Sequence, residues 1–296
     1  MRRLVSRFFQ QTIKRVGACA PTLFLLMTHS AAVNGQATRP LADSLTSLFR
    51  QHPQATINLA VQSLTDSTQA YSLRADEPVL SASVIKLPIL IEAMERAKAG
   101  TLDLGEIHIL TDSEKVGGTG VLNTYSHRSR IAYADLLRLM MVYSDNTATN
   151  ILINELSMAA INGRMHTLCL TGSRLNRLMM DTLAVRKGRE NYVTARDMNQ
   201  LLIRIDRKQL ATPELCGQML GLLRQNEDTL TIPRLLPAGT VVAHKTGILP
   251  YVRGDAGLIY APRPFVLSVF VQGVPTPEAE QLIADVARIC YDLLGR

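Results

Sequence analysis

A chain of 296 residues, 47% apolar and 19% charged, can bury a large core, which excludes collagen-like and disordered classes. Its formal net charge of +7 invites a polyanionic partner, but Arg2, Arg3, Arg7, Lys14 and Arg15 crowd the first fifteen residues. Without them 27 basic residues face 25 acidic ones, so nucleic acid is not expected as a partner.

Those five cations precede an apolar run from Val16 to Met27, followed by small residues at Ser30-Ala31-Ala32 and Gly35-Gln36-Ala37. A basic start, a short apolar stretch and a small-residue exit predict a secretory signal peptide over 1–37. The protein would then be exported, to a periplasm or the exterior. Twelve apolar residues fall short of the roughly 20 that span a bilayer, so no span is expected after processing. Helical spacing predicts a first helix over Leu41–His52. Ile57–Leu64 and Gln69–Leu73 flank the turn-rich Thr65-Asp66-Ser67 and read as a β-hairpin. From Ser83 to Ala99 the pattern turns helical and closes at Gly100. Gly117-Gly118-Thr119-Gly120 reads as a flexible loop. Two helices, Ala134–Tyr143 and Thr147–Leu156, are separated by Ser144-Asp145-Asn146. Thr194-Ala195-Arg196-Asp197 has the form of a capping box opening a helix to about Asp206, and Thr212-Pro213 opens another to about Gln225. Short β-rich runs follow at Val241–Thr246, Gly257–Tyr260 and Phe265–Gln272, broken by Pro262-Arg263-Pro264, and Thr276-Pro277 starts a last helix.

Strands at both ends with helices between predict a two-lobe α+β domain over 38–296, its sheet assembled from the two ends of the chain. The sheet lobe would take 41–82 and 228–296, and an all-helical lobe 83–227. Cys19 would leave with the leader, and Cys169, Cys216 and Cys290 form neither a C-x-x-C nor an even set. The histidines show no H-x-H or H-x-x-x-H pairing, so neither a metal nor another cofactor is expected.

Three strings carry chemistry: S-x-x-K at Ser83-Val84-Ile85-Lys86, S-D-N at Ser144-Asp145-Asn146, and K-T-G at Lys245-Thr246-Gly247. S-x-x-K alone is as well read as a helix cap with a solvated lysine, and S-D-N as capping and turn residues. Together and in this order they should arise by accident in well under ~1% of chains this long. A serine hydroxyl needs a base, and Lys86, one helical turn on, shares its face. Two neighbouring ammonium groups, Lys86 and Lys245, would each disfavour the other's charge, freeing Lys86 to accept a proton. Ser83 at a helix N-terminus offers its N–H to an oxyanion. Ser144 can relay a proton, Lys245 and Thr246 can hold a substrate carboxylate, and Gly247 lets the strand edge approach a ligand.

These strings, spaced by 61 and 101 residues, resemble those of the penicillin-recognising serine enzymes, and the lengths are most similar to the class A β-lactamases. The likeness extends to Thr147-Ala148-Thr149-Asn150 and Asp255-Ala256-Gly257. It implies a β-lactamase/transpeptidase-like fold, an antiparallel sheet flanked by helices, and a monomer acting on a β-lactam or cell-wall peptide. It implies acylation of Ser83 with Lys86 as base and proton transfer to the lactam nitrogen through Ser144. Asn146 would contact the substrate's side-chain amide, and the N–H groups of Ser83 and Ile248 would form the oxyanion hole.

One part of the pattern differs. The family activates its hydrolytic water with a glutamate in an omega loop of the form R-x-E-x-x-x-N. Here Arg177 and Glu190 fit the loop's salt bridge, but Met179 stands in the glutamate's place. Asp181 is the nearest carboxylate that could substitute, or it could cap or close the loop. A β-lactamase, a D,D-peptidase-like serine amidase and a sensor that stays acylated are the functions left open.

Overall fold

The computed structural model describes residues 39–296, so the expected signal peptide and Cys19 lie outside the described residues. In chain order the elements are α1 (Arg39–Arg50), β1 (Thr56–Ser63), β2 (Ala70–Leu73), β3 (Val79–Leu80), α2 (Lys86–Lys98), β4 (Ile107–Ile109), β5 (Arg130–Ala132), α3 (Tyr133–Val142), α4 (Asn146–Leu156), α5 (Met158–Thr167), α6 (Thr182–Arg186), β6 (Tyr192–Val193), α7 (Ala195–Asp206), α8 (Pro213–Arg224), β7 (Val241–Leu249), β8 (Val252–Tyr260), β9 (Phe265–Gln272) and α9 (Thr276–Cys290).

The main sheet is antiparallel with strand order β2-β1-β9-β8-β7. β1, from near the start of the described chain, pairs with β9 from near its end, Leu59 opposite Val269 and Val61 opposite Leu267. The expected assembly of one sheet from two distant segments is therefore observed. The central strand β9 is buried on both faces because both are covered, so it reads as an apolar run broken by Ser268 rather than an alternation. Alternate side chains of β1 and β9 feed two cores. Leu59, Val61, Leu267 and Val269 pack with Leu41 and Leu45 of α1 and Leu282, Ile283 and Val286 of α9. Ala60, Val266 and Phe270 face the other core, which contains α2, α4, α7 and α8.

α2 is buried from Lys86 to Met94, the helix about which the others pack. Pro88 lies in its first turn, where a missing N–H breaks no intrahelical bond. Glu92, 5% exposed, is held there by Arg96 and Arg164 at 3.1 and 2.9 Å.

Several local expectations shift. A 3-10 turn over Ala82–Ile85 carries Ser83, and the α-helix proper begins at Lys86. K-T-G lies inside β7, which runs on to Leu249, rather than at a strand end. β8 starts at Val252, five residues before the expected Gly257, because a tight turn with Tyr251 at φ 56° returns the chain at once. Thr194 caps α7 by accepting from the Asp197 N–H, but Asp197 turns instead to the Ser173 hydroxyl (2.8 Å) and Gly172 N–H (3.2 Å). α5 was not foreseen: Ser157, at φ 66°, breaks the chain after α4 and itself caps the new helix, so the sequence holds no separating loop. The Gly117–Gly120 segment is pinned rather than free. Asp145 accepts from the N–H groups of Val121 (2.6 Å) and Leu122 (2.8 Å), and a Cβ on Gly120 would lie 2.3 Å from that carboxyl.

Candidate active site

The three strings converge. The 3-10 turn presents Ser83, the break between α3 and α4 presents Ser144, and β7 brings Lys245 alongside. Lys86 Nζ lies 3.1 Å from Ser83 Oγ, 3.1 Å from Ser144 Oγ, 2.6 Å from the Ser144 carbonyl and 3.1 Å from Asn146 Oδ1. Lys245 Nζ donates to Ser144 Oγ at 3.1 Å and to the Thr246 carbonyl at 3.0 Å. One hydroxyl, that of Ser144, thus lies between the two amines. Both lysines have 0% exposure.

Burial, then the Lys245 charge, holds the Lys86 amine well below the usual lysine range, opposed by Asp145. Burial brings Lys245 down to about 8, opposed by Asp255 and Asp228 and reinforced by Arg253. The pair is therefore biased toward a neutral amine at Lys86 beside an ammonium at Lys245. As a neutral amine, Lys86 can give its two N–H groups to the Ser144 carbonyl and Asn146 Oδ1 and aim its lone pair at the Ser83 hydroxyl.

The turn holding Ser144 is strained and over-determined. Ser144 sits at φ 54°, where a side chain is disfavoured. Neighbouring bonds hold it there: Asp145 N–H to the Leu139 carbonyl (3.1 Å), Asn146 N–H to the Thr119 carbonyl (3.0 Å) and Thr119 Oγ1 to the Ser144 carbonyl (2.8 Å). Asp145 also caps α4 through the Ala148 N–H at 2.8 Å. Ala82 (φ 45°) and Met180 (φ 63°) share this unfavourable conformation, and all three line one cavity of about 510 Å³. Clustered strain of this kind is characteristic of functional sites.

All the sequence-selected residues except Lys86, which lies beneath the cavity floor, line that cavity: Ser83, Ser144, Asn146, Asp181, Lys245, Thr246, Gly247 and Ile248. Two of them also serve the fold itself. Asn146 is engaged at both ends, its Oδ1 by Lys86 and its Nδ2 by the Gly117 carbonyl (3.2 Å), so it orients the lysine. Gly247 is needed for the protein's own packing. A Cβ there would stand 3.0 Å from Ser83 N and 3.1 Å from the Ser81 carbonyl. The missing side chain lets β7 lie against the turn that bears Ser83.

The segment 176–191 closes the cavity's other side. Arg177 and Glu190 pair at 2.8 Å, as the family resemblance implied. Asn191 Oδ1 accepts from the N–H groups of Asn176 (2.7 Å) and Arg177 (3.0 Å), and its Nδ2 donates to the Arg177 carbonyl (3.1 Å). Asn150 grips the backbone of Met179, accepting its N–H at 2.8 Å and donating to its carbonyl at 3.1 Å. Met179 is buried in the cavity wall. Asp181 is the N-cap of α6, its Oδ1 accepting the Ala184 N–H at 2.9 Å. Sequence reasoning passed over Thr119, Asn191 and Asp228; only Asn191, one residue beyond Glu190, carried a positional signal. Among the described residues no group of three or more His, Cys, Asp or Glu side chains could hold a metal ion, and no helix is long and apolar enough to cross a membrane.

The β-lactamase enzyme family model matches residues 40–294. The extended-spectrum β-lactamase PER-1 of Pseudomonas aeruginosa is 24% identical over 284 residues, covering 90% of this chain and 92% of that protein. A β-lactamase structure from Sphaerobacter thermophilus superposes with a TM-score of 0.78 at 26% identity, over 86% of this chain and 97% of that one. A PBP-A variant, captured as its acyl-enzyme with penicillin G, superposes at 0.79 with 27% identity, over 86% and 96%. A family match that spans almost every described residue makes this chain a member of the β-lactamase enzyme family.

Proposed function

We propose that this protein is an exported, monomeric class A serine β-lactamase that opens the lactam amide by acyl transfer to Ser83. The observation that carries this is the 3.1 Å contact between Ser83 Oγ and an amine whose surroundings favour its neutral form. Ser83 Oγ attacks the lactam carbonyl carbon as its proton passes to Lys86 Nζ. The carbonyl oxygen takes up the negative charge before the N–H groups of Ser83, in the turn that opens α2 where N–H groups lack an intrahelical acceptor, and of Ile248 on β7. The C–N bond then breaks, and the proton reaches the leaving nitrogen through Ser144 Oγ, which touches both lysines. The product is an ester on Ser83 and a ring-opened amine. Water then adds to the ester, releasing the Ser83 hydroxyl and a carboxylic acid. Lys245 and Thr246 line the same cavity and offer the substrate a charge and a hydroxyl.

The second half-reaction is the less well equipped. Met179 offers no base, and one oxygen of Asp181 is committed to the α6 cap. With Glu190 paired to Arg177, Asp181 is the carboxylate of this segment left to orient the water, and slow hydrolysis of the ester is expected. This favours, as a second reading, a penicillin-binding serine amidase that remains acylated, as in the PBP-A variant's complex with penicillin G. A stopped-flow assay with a chromogenic cephalosporin, paired with intact-mass detection, separates the two. Steady turnover supports the β-lactamase, whereas a stoichiometric burst with a persistent adduct supports the slow acyl-enzyme. Ser83→Ala should abolish both signals, and survival of either would mean a different nucleophile.

A further inference from the structure

Beside K-T-G lies a group of charges that the proposed chemistry does not use. Arg253, on β8, is 2% exposed and engaged on every side: Nη2 with Asp228 (2.6 Å), Nε with Glu280 (3.1 Å), and Nη1 with the Gly247 carbonyl (3.3 Å). Asp255, 0% exposed, accepts from Thr231 Oγ1 at 2.7 Å and lies 3.0 Å from His244 Nδ1. The corner therefore sets two cations, Lys245 and Arg253, against three carboxylates, Asp228, Glu280 and Asp255. Among these carboxylates Asp228 faces the cavity, with about a quarter (27%) of its side chain exposed.

Asp228 is also fixed in place. Its Oδ2 takes the Arg253 guanidinium and its Oδ1 takes the Leu230 N–H at 3.2 Å, while its own N–H donates to Asn226 Oδ1 at 3.0 Å. Burial works against its charge, but Arg253, the Thr246 hydroxyl and the Leu230 amide together keep it ionised. The neighbouring Glu227, exposed on the same wall, adds to the negative field. A substrate carboxylate arriving at Thr246 would thus meet a fixed like charge on the same cavity wall and find Arg253 already occupied. In a half-buried site a like charge a few ångströms away is a substantial penalty.

We propose that Asp228 is a specificity-determining residue, disfavouring a free carboxylate at the Thr246 corner and favouring substrates that are neutral or cationic at that position. The occupants meant are lactams or acyl donors bearing an ester, an amide or an amine there. This rests on the proposed acylation of Ser83.

The test compares one cephalosporin as its free acid and as its methyl ester. The second-order rate of Ser83 acylation is read by intact mass at pH 6.5, where Lys245 is protonated. Asp228→Asn should raise the acid-to-ester ratio of rates by roughly tenfold or more, the effect of removing one like charge. Asp228→Glu, which keeps the charge, should leave the ratio close to wild type. The ratio is internal to each variant, so a loss of folded protein affects both substrates alike; thermal melts confirm the fold. An unchanged or lower ratio in Asp228→Asn would overturn the proposal, a lower one because it would make Asp228 a support for anion binding. Absence of an adduct from either substrate on the wild-type protein would instead overturn the acylation of Ser83 itself.

Discussion

Replacing Lys245 with arginine separates its charge from its titration. Burial lowers this lysine from its ordinary 10.5 to about 8, despite the opposing Asp255 and Asp228 carboxylates. If its ammonium holds the substrate and sustains the neutral Lys86, kcat/KM falls as pH rises through about 8. One pH unit above that value about one tenth of the protein retains the charge, so the expected loss by pH 9 is about tenfold. An arginine stays charged throughout, so Lys245→Arg should move the alkaline limb beyond pH 9 whatever it does to the absolute rate. Any acid limb that arises from the need for a neutral Lys86 should remain, because the arginine keeps the neighbouring positive charge. The assay is kcat/KM for a chromogenic cephalosporin from pH 5 to 10. An alkaline limb that stays near 8 in the arginine variant would refute this assignment of the charge. Stability supplies an independent sign. A buried amine whose folded-state pKa lies below its unfolded value costs folding energy at low pH, on the order of 3 kcal/mol for a fall from 10.5 to about 8. That cost is full below pH 8 and is relieved between 8 and 10.5, so urea midpoints should rise across that window and do so less in Lys245→Met.

Met179→Glu places a carboxylate on a backbone already clamped by Asn150, and a general base is worth roughly 10²- to 10⁴-fold. The lifetime of the Ser83 adduct should shorten by at least the lower figure, and an unaltered lifetime would mean that position 179 does not face the ester. Asp181→Asn keeps the α6 cap, because asparagine caps as well as aspartate, so it should lengthen the adduct's lifetime at an unchanged melting temperature; an unchanged lifetime would remove that carboxylate from the mechanism. A Cβ on Gly254 would stand 2.4 Å from Phe270 Cδ1, so Gly254→Ala should cost about 1–3 kcal/mol in denaturant melts. Phe270→Leu in the same chain should recover part of it, and equal destabilisation alone and in combination would show that the ring is not the obstacle.

Several local features were legible in the sequence. The nucleophile and its base lie one helical turn apart, so their meeting follows from helix geometry. Strand runs bounded by Pro and Gly, and helices opening at Thr212-Pro213 and Thr276-Pro277, are set by the backbone preferences of those residues. The Arg177–Glu190 pair was foreseeable only through the resemblance to the family's omega loop.

Contacts between distant segments were not legible, because sequence spacing carries no distance once the chain folds back. Lys245 reaches Ser144 only because β7 lies against the turn bearing Ser83, and that approach depends on the missing side chain of Gly247. Asp228 carried no signal in a stretch of turn residues, and its place in the cavity depends on Arg253 arriving from the neighbouring strand. The residue types and their order determine which chemistry is possible. The depressed amines of Lys86 and Lys245, and the carboxylate that faces them, exist only where tertiary packing removes water and brings the charges together.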